Sequence, residues 1–275
     1  MAEIEGIPGY SKEEVIHQVE LNLWETWSNF GRGSDCTLHD EGDALWFETP
    51  IPIIPYNTVL RFQVVQDIDT RIDALIQGYA ERNVAPLWIV HPSSLPIDLP
   101  ERLQIRGYQE IEIAPGMARR LENLSEPPPI PDGIEIREAI GEKDIMELYG
   151  LAAWRWGVPD AYRPQLEKII EKFAIGERTS NTRFWMAWKD GVPISKIALY
   201  NGSGSAGIYA VATKPEARGL GIASILVNIA LRAARDMGHK LVVLDSSPLA
   251  ERLYQRLGFV NVAPMRLYSP IATVI

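Results

Sequence analysis

VATKPEARGLGIASILVNIALRAARDMG, residues Val211–Gly238, decides how this chain is read. Its second part places Ile222, Ile225, Leu226, Ile229, Ala230, Ala233 and Ala234 at spacings of three and four. That spacing predicts a helix from about Gly219 to Met237, one apolar face turned to a core, stopped by Gly238. Its start runs Arg218, Gly219, Leu220, Gly221, Ile222, Ala223, the pattern R-x-x-G-x-A directly after a strand. A helix N-terminus presents unpaired N–H groups and about half a positive charge. Glycines remove the Cβ atoms that would keep a ligand from those amides. Strand, glycine turn and helix together predict a phosphate cradle. No G-K-[ST] follows the glycines and no G-x-G-x-x-G is present, so neither a P-loop nor a dinucleotide fingerprint applies. On the glycines alone, a plain tight turn into an amphipathic helix is an equal alternative.

The flanking sequence fills in an α/β pattern. Ile134–Glu138 alternates like a strand, and helical stretches are expected over Asp144–Trp156 and around Gln165–Phe173. RFWMAWKDGVPISKIALY reads as a hairpin turning at Asp190-Gly191. The strand IYAVAT leads into the decisive stretch. Downstream, KLVVL is a short buried strand. SSPLAERLYQRLGF is a short helix, with Ser247 as N-cap, Pro248 in the first helical position and Gly258 at the C-terminal cap. A last strand starts near Phe259.

Upstream, SEPPPIPDG (Ser125–Gly133) holds four prolines, which lack the N–H and fix φ, so it predicts a semi-rigid linker. It divides the 275 residues into segments 1–124 and 134–275, and that length favours two domains. The chain carries 27 basic and 36 acidic residues, a net charge of −9, which argues against non-specific binding to nucleic acid or anionic membranes. A single cysteine, Cys36, excludes an internal disulfide framework and a thiolate zinc site. The four histidines, His17, His39, His91 and His239, lack metal-ligand spacing, so no metal is expected. MAEIEGIPGY has no apolar core and does not read as a signal peptide. No run approaches the length of a membrane span. A soluble, cytoplasmic protein is expected.

V-x-x-x-P-x-x-R-G-x-G-I-A, then a long helix, an apolar strand and L-Y-x-x-L-G-F resembles the GNAT superfamily of N-acetyltransferases. The matching residues are Val211, Pro215, Arg218, Gly219, Gly221, Ile222 and Ala223, then Leu253, Tyr254, Leu257, Gly258 and Phe259. The resemblance spans roughly Ile134 to the C-terminus. It implies a mixed, mostly antiparallel sheet flanked by helices, with acetyl-CoA as co-substrate and an amine as acceptor. The loop amides, Arg218 to Ser224 through Leu220, would bind the coenzyme pyrophosphate. Backbone near Tyr209, Val211 and Thr213 would pair with the pantetheine arm. Tyr254 would sit near the thioester sulfur.

The chemistry asks for three things. An amine of pKa about 10.4 must lose a proton, the tetrahedral oxyanion needs donors, and the leaving thiolate is helped by an acid. Tyr254 is the candidate acid. Many relatives carry a carboxylate on the strand before the cradle, but AGIYAVAT has none. Asp245, ending KLVVL, is the candidate base, beside two alternatives: a turn-capping aspartate, and a water chain to a more distant carboxylate. Ser246 and Ser247 are candidates to bond the acceptor. Lys214 and Arg256 are candidates for the acidic coenzyme or a solvated face. Trp154, Trp156 and Tyr162 are candidates for the acceptor pocket, with packing as the alternative. With no cysteine in the site region, direct attack in a ternary complex is expected. The missing strand carboxylate keeps open a non-catalytic acyl-CoA-binding module; an acyl-CoA enzyme that does not acylate amines is a third reading.

The first segment echoes the second. PLWIVHPSSLPIDLPERLQIRGYQEIEI and KLVVLDSSPLAERLYQRLGFVNV share an apolar strand, Ser-Ser, E-R-L, Gly-aromatic and a second apolar strand, each after a helix-like stretch. A degenerate GNAT-like domain is expected over 1–124. It lacks R-x-x-G-x-A, and Gln104 stands at the position of Tyr254 in the E-R-L register, so no second coenzyme site is expected. Residues 1–45, with Trp24 and Trp27, are expected to form an extra helix that helps shape a cleft between the two parts.

Overall fold

A computed structural model describes residues 7–177 and 179–270. Helix α1 (Lys12–Trp27) begins with a reciprocal capping box: Glu14 N–H donates to Ser11 Oγ at 3.1 Å, and Ser11 N–H to Glu14 Oε2 at 2.6 Å. Strands β1 (Thr37–Asp40), β2 (Ala44–Glu48) and β3 (Thr58–Phe62) follow, then α2 (Ile68–Glu81), β4 (Leu87–Val90), α3 (Leu99–Ile105) and β5 (Gln109–Arg120). Beyond the proline-rich segment come β6 (Ile134–Glu138), α4 (Glu142–Trp156), α5 (Arg163–Ile170), β7 (Thr182–Lys189) and β8 (Val192–Asn201). Then β9 (Ala206–Thr213), α6 (Ile222–Asp236), β10 (Leu241–Asp245), α7 (Glu251–Arg256) and β11 (Val260–Ser269) follow among the described residues.

All eleven strands join one sheet in the order β1-β2-β3-β4-β11-β5-β10-β9-β8-β7-β6. Pairing is antiparallel except for β3–β4 and β9–β10, each joined through a helix as parallel strands require. The two central strands are exchanged. β5 pairs with β10 (Leu241 opposite Arg120, Asp245 opposite Gly116), while β11 pairs with β4 (Tyr268 opposite Trp88). β5 and β11 pair with each other along most of their length. Each segment therefore borrows its final strand from the other. The β4-α3-β5 and β10-α7-β11 layouts match.

Three expectations are revised. Residues 1–45 form α1, a short 3-10 turn over Ser28–Arg32, and then strands rather than one added helix. α1 packs on strands of both segments, because Val15, Val19 and Leu23 enter a core shared with Phe47 and Leu60 of the first and Leu241 and Val243 of the second. Helix α7 starts at Glu251, not after Ser247: Ala250 is its cap residue, and Ser247 contributes a turn carbonyl to Ala250 N–H at 3.0 Å. The reason is local. Ser246 N–H bonds Pro115 O at 2.9 Å and its Oγ bonds Ser247 O at 2.8 Å, holding this stretch extended. Finally, the helix ends realign the echo. Gly258 (φ 82°) and Gly107 (φ 84°) end α7 and α3 with the same pair of bonds, Phe259 N–H to Tyr254 O and Tyr108 N–H to Leu103 O. Leu103, fully buried, thus stands where Tyr254 does, not Gln104.

α6 presents Ile222, Leu226, Ala230 and Ala234 to a core with Ile197, Leu199 and Ile208, as its periodicity predicts. The start of β9 is fixed by α1. Asn22 Nδ2 donates to Ser205 O at 2.8 Å, and Tyr209 Oη donates to Asn22 Oδ1 at 2.8 Å. A Cβ on Gly207 would overlap the Asn22 amide and the Tyr209 ring. Gly207→Ala is therefore expected to cost about 1–3 kcal/mol, the usual range for overpacking. A lower urea midpoint checks it; an unchanged midpoint would show that this junction yields easily.

Candidate active site

The cradle forms at the end of β9. Gly219 (φ 81°) and Gly221 (φ 76°) take left-handed backbone that favours glycine, and a Cβ at either would point into open space. Gly221 caps α6, and no side chain satisfies the first turn. The first bond into the helix runs from Ile225 N–H to Gly221 O at 3.1 Å, leaving the amides of Ile222, Ala223 and Ser224 without a backbone acceptor. Arg218 Nε donates to Thr213 O at 3.2 Å, tying the loop to its strand. This glycine-lined set of amides without backbone acceptors fits a pyrophosphate.

β9 and β10 pair only at Ala206–Val242 and Gly207–Val243. Beyond that they part, leaving one edge of β9 unpaired. There β9 also bulges: Ala210 and Val211 together oppose Ile197, and Ala210 sits at φ 53°. Bulges of this kind re-aim strand groups beside active sites. Tyr209 and Val211 line the opening, whereas Thr213 lies beside the loop with its Oγ1 2.8 Å from Ser195 Oγ.

The opening leads into a cavity of about 440 Å³ between the two segments. Trp27, Phe30 and Tyr56 wall it from the first segment, and Trp156, Ile170 and Phe184 from the second. Asp245 and Tyr254 both face it. Burial pushes the Asp245 carboxyl up to about 6, with a smaller push from Glu112. Burial also raises the Tyr254 phenol, and the Asp245 charge raises it further, so the phenol keeps its proton. Lys196 lines the same cavity; burial lowers its ammonium to about 7, aided by Arg155. Burial raises Glu112, and Arg155 opposes that shift.

Of the aromatic acceptor candidates, Trp156 lines the cavity. Trp154 is 41% exposed and Tyr162 packs beside the core under α4 and α5; neither lines it. Ser246 and Ser247 do, while Lys214 and Arg256 do not. Cys36 lies elsewhere, and burial and Asp35 push its thiol up to about 11. Sequence reading missed Lys196, Arg155 and Glu112. Only Lys196 left a signal, a lone charge inside the otherwise mostly apolar PISKIALY. Among the described residues, no group of His, Cys, Asp or Glu is placed to hold a metal ion, and no helix is long and apolar enough to cross a membrane.

A glycine cradle at the head of α6, a parallel strand pair that opens beside it, and a bulged β9 define an acetyltransferase fold. Residues 145–259 match the family model of the acetyltransferase (GNAT) family, and the chain carries a GNAT domain there. No curated protein matches the chain in sequence. Among solved structures, a GCN5-related N-acetyltransferase from Kribbella flavida matches at TM-score 0.65 and 16% identity, over 95% of this chain and 96% of that one. A GCN5-related N-acetyltransferase from Sphaerobacter thermophilus matches at TM-score 0.61 and 16% identity, over 96% of each chain. A tandem GNAT protein from the clavulanic acid biosynthesis pathway matches at TM-score 0.60 and 12% identity, over 99% and 100%. At these identities the likeness is one of fold, and it extends over both segments.

Proposed function

We propose that this protein is an N-acetyltransferase that moves an acetyl group from acetyl-CoA to a primary amine by direct attack in a ternary complex. The chain is read as a degenerate GNAT-like part, 1–124, a linker, 125–133, and a catalytic part, 134–275. Acetyl-CoA supplies the activated acyl group. Arg218, Gly219, Leu220, Gly221, Ile222, Ala223 and Ser224 hold its pyrophosphate, and the unpaired edge of β9 at Tyr209, Val211 and Thr213 receives the pantetheine arm. Asp245 accepts the proton of the amine. As the N–C bond forms and the C–S bond breaks, Tyr254 gives a proton to the departing sulfur and is reprotonated from Asp245 or solvent.

The observation that carries this reading is the meeting of Asp245 and Tyr254 in one cavity, where β9 and β10 part and β9 leads on to the cradle. Calorimetric titration with acetyl-CoA, followed by thiol release on adding an amine panel, tests it. Saturable binding without thiol release for any amine would favour a binding module instead.

Asp245 works as a base only when ionised, so kcat/KM should fall as pH drops through about 6. Asp245→Asn should lower kcat/KM by roughly 10²-fold and remove that limb. An intact limb in the variant would pass the role to another carboxylate.

A further inference from the structure

Lys196 is only 2% exposed, faces the cavity, and makes no hydrogen bond or ion pair with any described residue. Arg155 faces the same space, 4.6 Å over the Trp156 ring, and it too has no carboxylate within ion-pair distance among the described residues. The two cations are close enough to disfavour each other. Of the acids of the cavity, Glu112 raises the Asp245 carboxyl and Arg155 opposes the rise of Glu112; neither carboxylate stands within ion-pair distance of Lys196. An ammonium held out of water without a counter-charge is costly, and a bound anion removes that cost. The coenzyme pyrophosphate is not that anion, since none of residues 218–224 lines the cavity. Lys196 instead shares its strand face with Ala198 and Tyr200, which line the cavity together with the aromatic wall of Trp27, Phe30 and Tyr56.

We infer that the acceptor is an amphipathic amine that also carries a carboxylate, seated at Lys196 and Arg155 with its apolar body against that wall. The amine rests on the acetyltransferase reading; the carboxylate seat stands without it.

The test is calorimetry on the full chain with three matched pairs: isovalerate and isovaleramide, 3-phenylpropanoate and 3-phenylpropanamide, octanoate and octanamide. At least one carboxylate should bind about tenfold or more tightly than its amide, as expected for a charge-assisted contact. Lys196→Met, which replaces an unpaired buried charge with an apolar chain of similar length, should fold with no loss of Tm and bind both members of the pair alike. No preference in any pair of the unaltered protein, or a preference that survives Lys196→Met, overturns the seat. Turnover separates the two readings. If phenethylamine is acetylated as efficiently as phenylalanine and no carboxylate is preferred in binding, the acetyltransferase stands and the acceptor class falls. If the carboxylate preference depends on Lys196 yet no amine releases thiol, the seat stands and the acetyltransferase falls.

Discussion

Gly221→Glu should abolish acetyl-CoA binding, with no saturable heat up to about 1 mM, where affinity is only about −4 kcal/mol. Gly221 sits at φ 76° and caps α6, and a Cβ there would meet no protein atom within 4 Å. The glutamate side chain thus enters the space that a phosphate would take, and it carries the same sign of charge. The left-handed backbone adds a cost of roughly 1–2 kcal/mol for any side chain, falling on folding rather than on binding. Gly221→Ala separates the two effects: it bears the backbone cost without the charge and should retain measurable binding. If Gly221→Glu bound acetyl-CoA with the affinity of the unaltered protein, the pyrophosphate would have to sit elsewhere.

Tyr254→Phe should lower kcat by roughly 10²-fold or more, within the range for loss of a general acid, while the acetyl-CoA Kd changes by less than about threefold. The phenol hydroxyl makes no hydrogen bond with a described residue, so its removal leaves no partner stranded. The ring is held by packing, edge-on to Phe259 at 5.7 Å, and phenylalanine preserves that contact. An unchanged Tm therefore accompanies the loss of rate. A variant with full kcat would leave the thiolate to be protonated by solvent, and Tyr254 would be a packing residue only.

What the sequence disclosed and what it withheld divide by distance along the chain. The cradle, α6 and the Gly258 helix end are short-range features: an apolar period, two glycines and a cap residue lie within a few positions of one another. The cavity draws Trp27, Tyr56, Glu112, Arg155, Lys196 and Asp245 from α1, the β2–β3 loop, β5, α4, β8 and β10, and local pattern carries no record of their meeting. Trp154 and Trp156 show the same limit at close range. Two residues apart on a helix, they lie on different faces, and only packing decides that Trp156 lines the cavity. Ser247 does not cap α7, and its neighbour Ser246 is tied to Pro115, a partner more than a hundred residues away.

The exchange of β5 and β11 was also beyond local reading, since either strand has the alternation to fill either place. It bears on synthesis at the ribosome. The first segment emerges with β5 made but without the strand that flanks β4 in the fold, because β11 holds residues 260–269 and follows every other strand of the sheet. The nascent first half is thus left with an open edge until β11 is made, the kind of edge on which neighbouring chains can pair. That ten-residue strand joins both halves at once, and the cavity wall that bears Met265 and Leu267 is laid down with it.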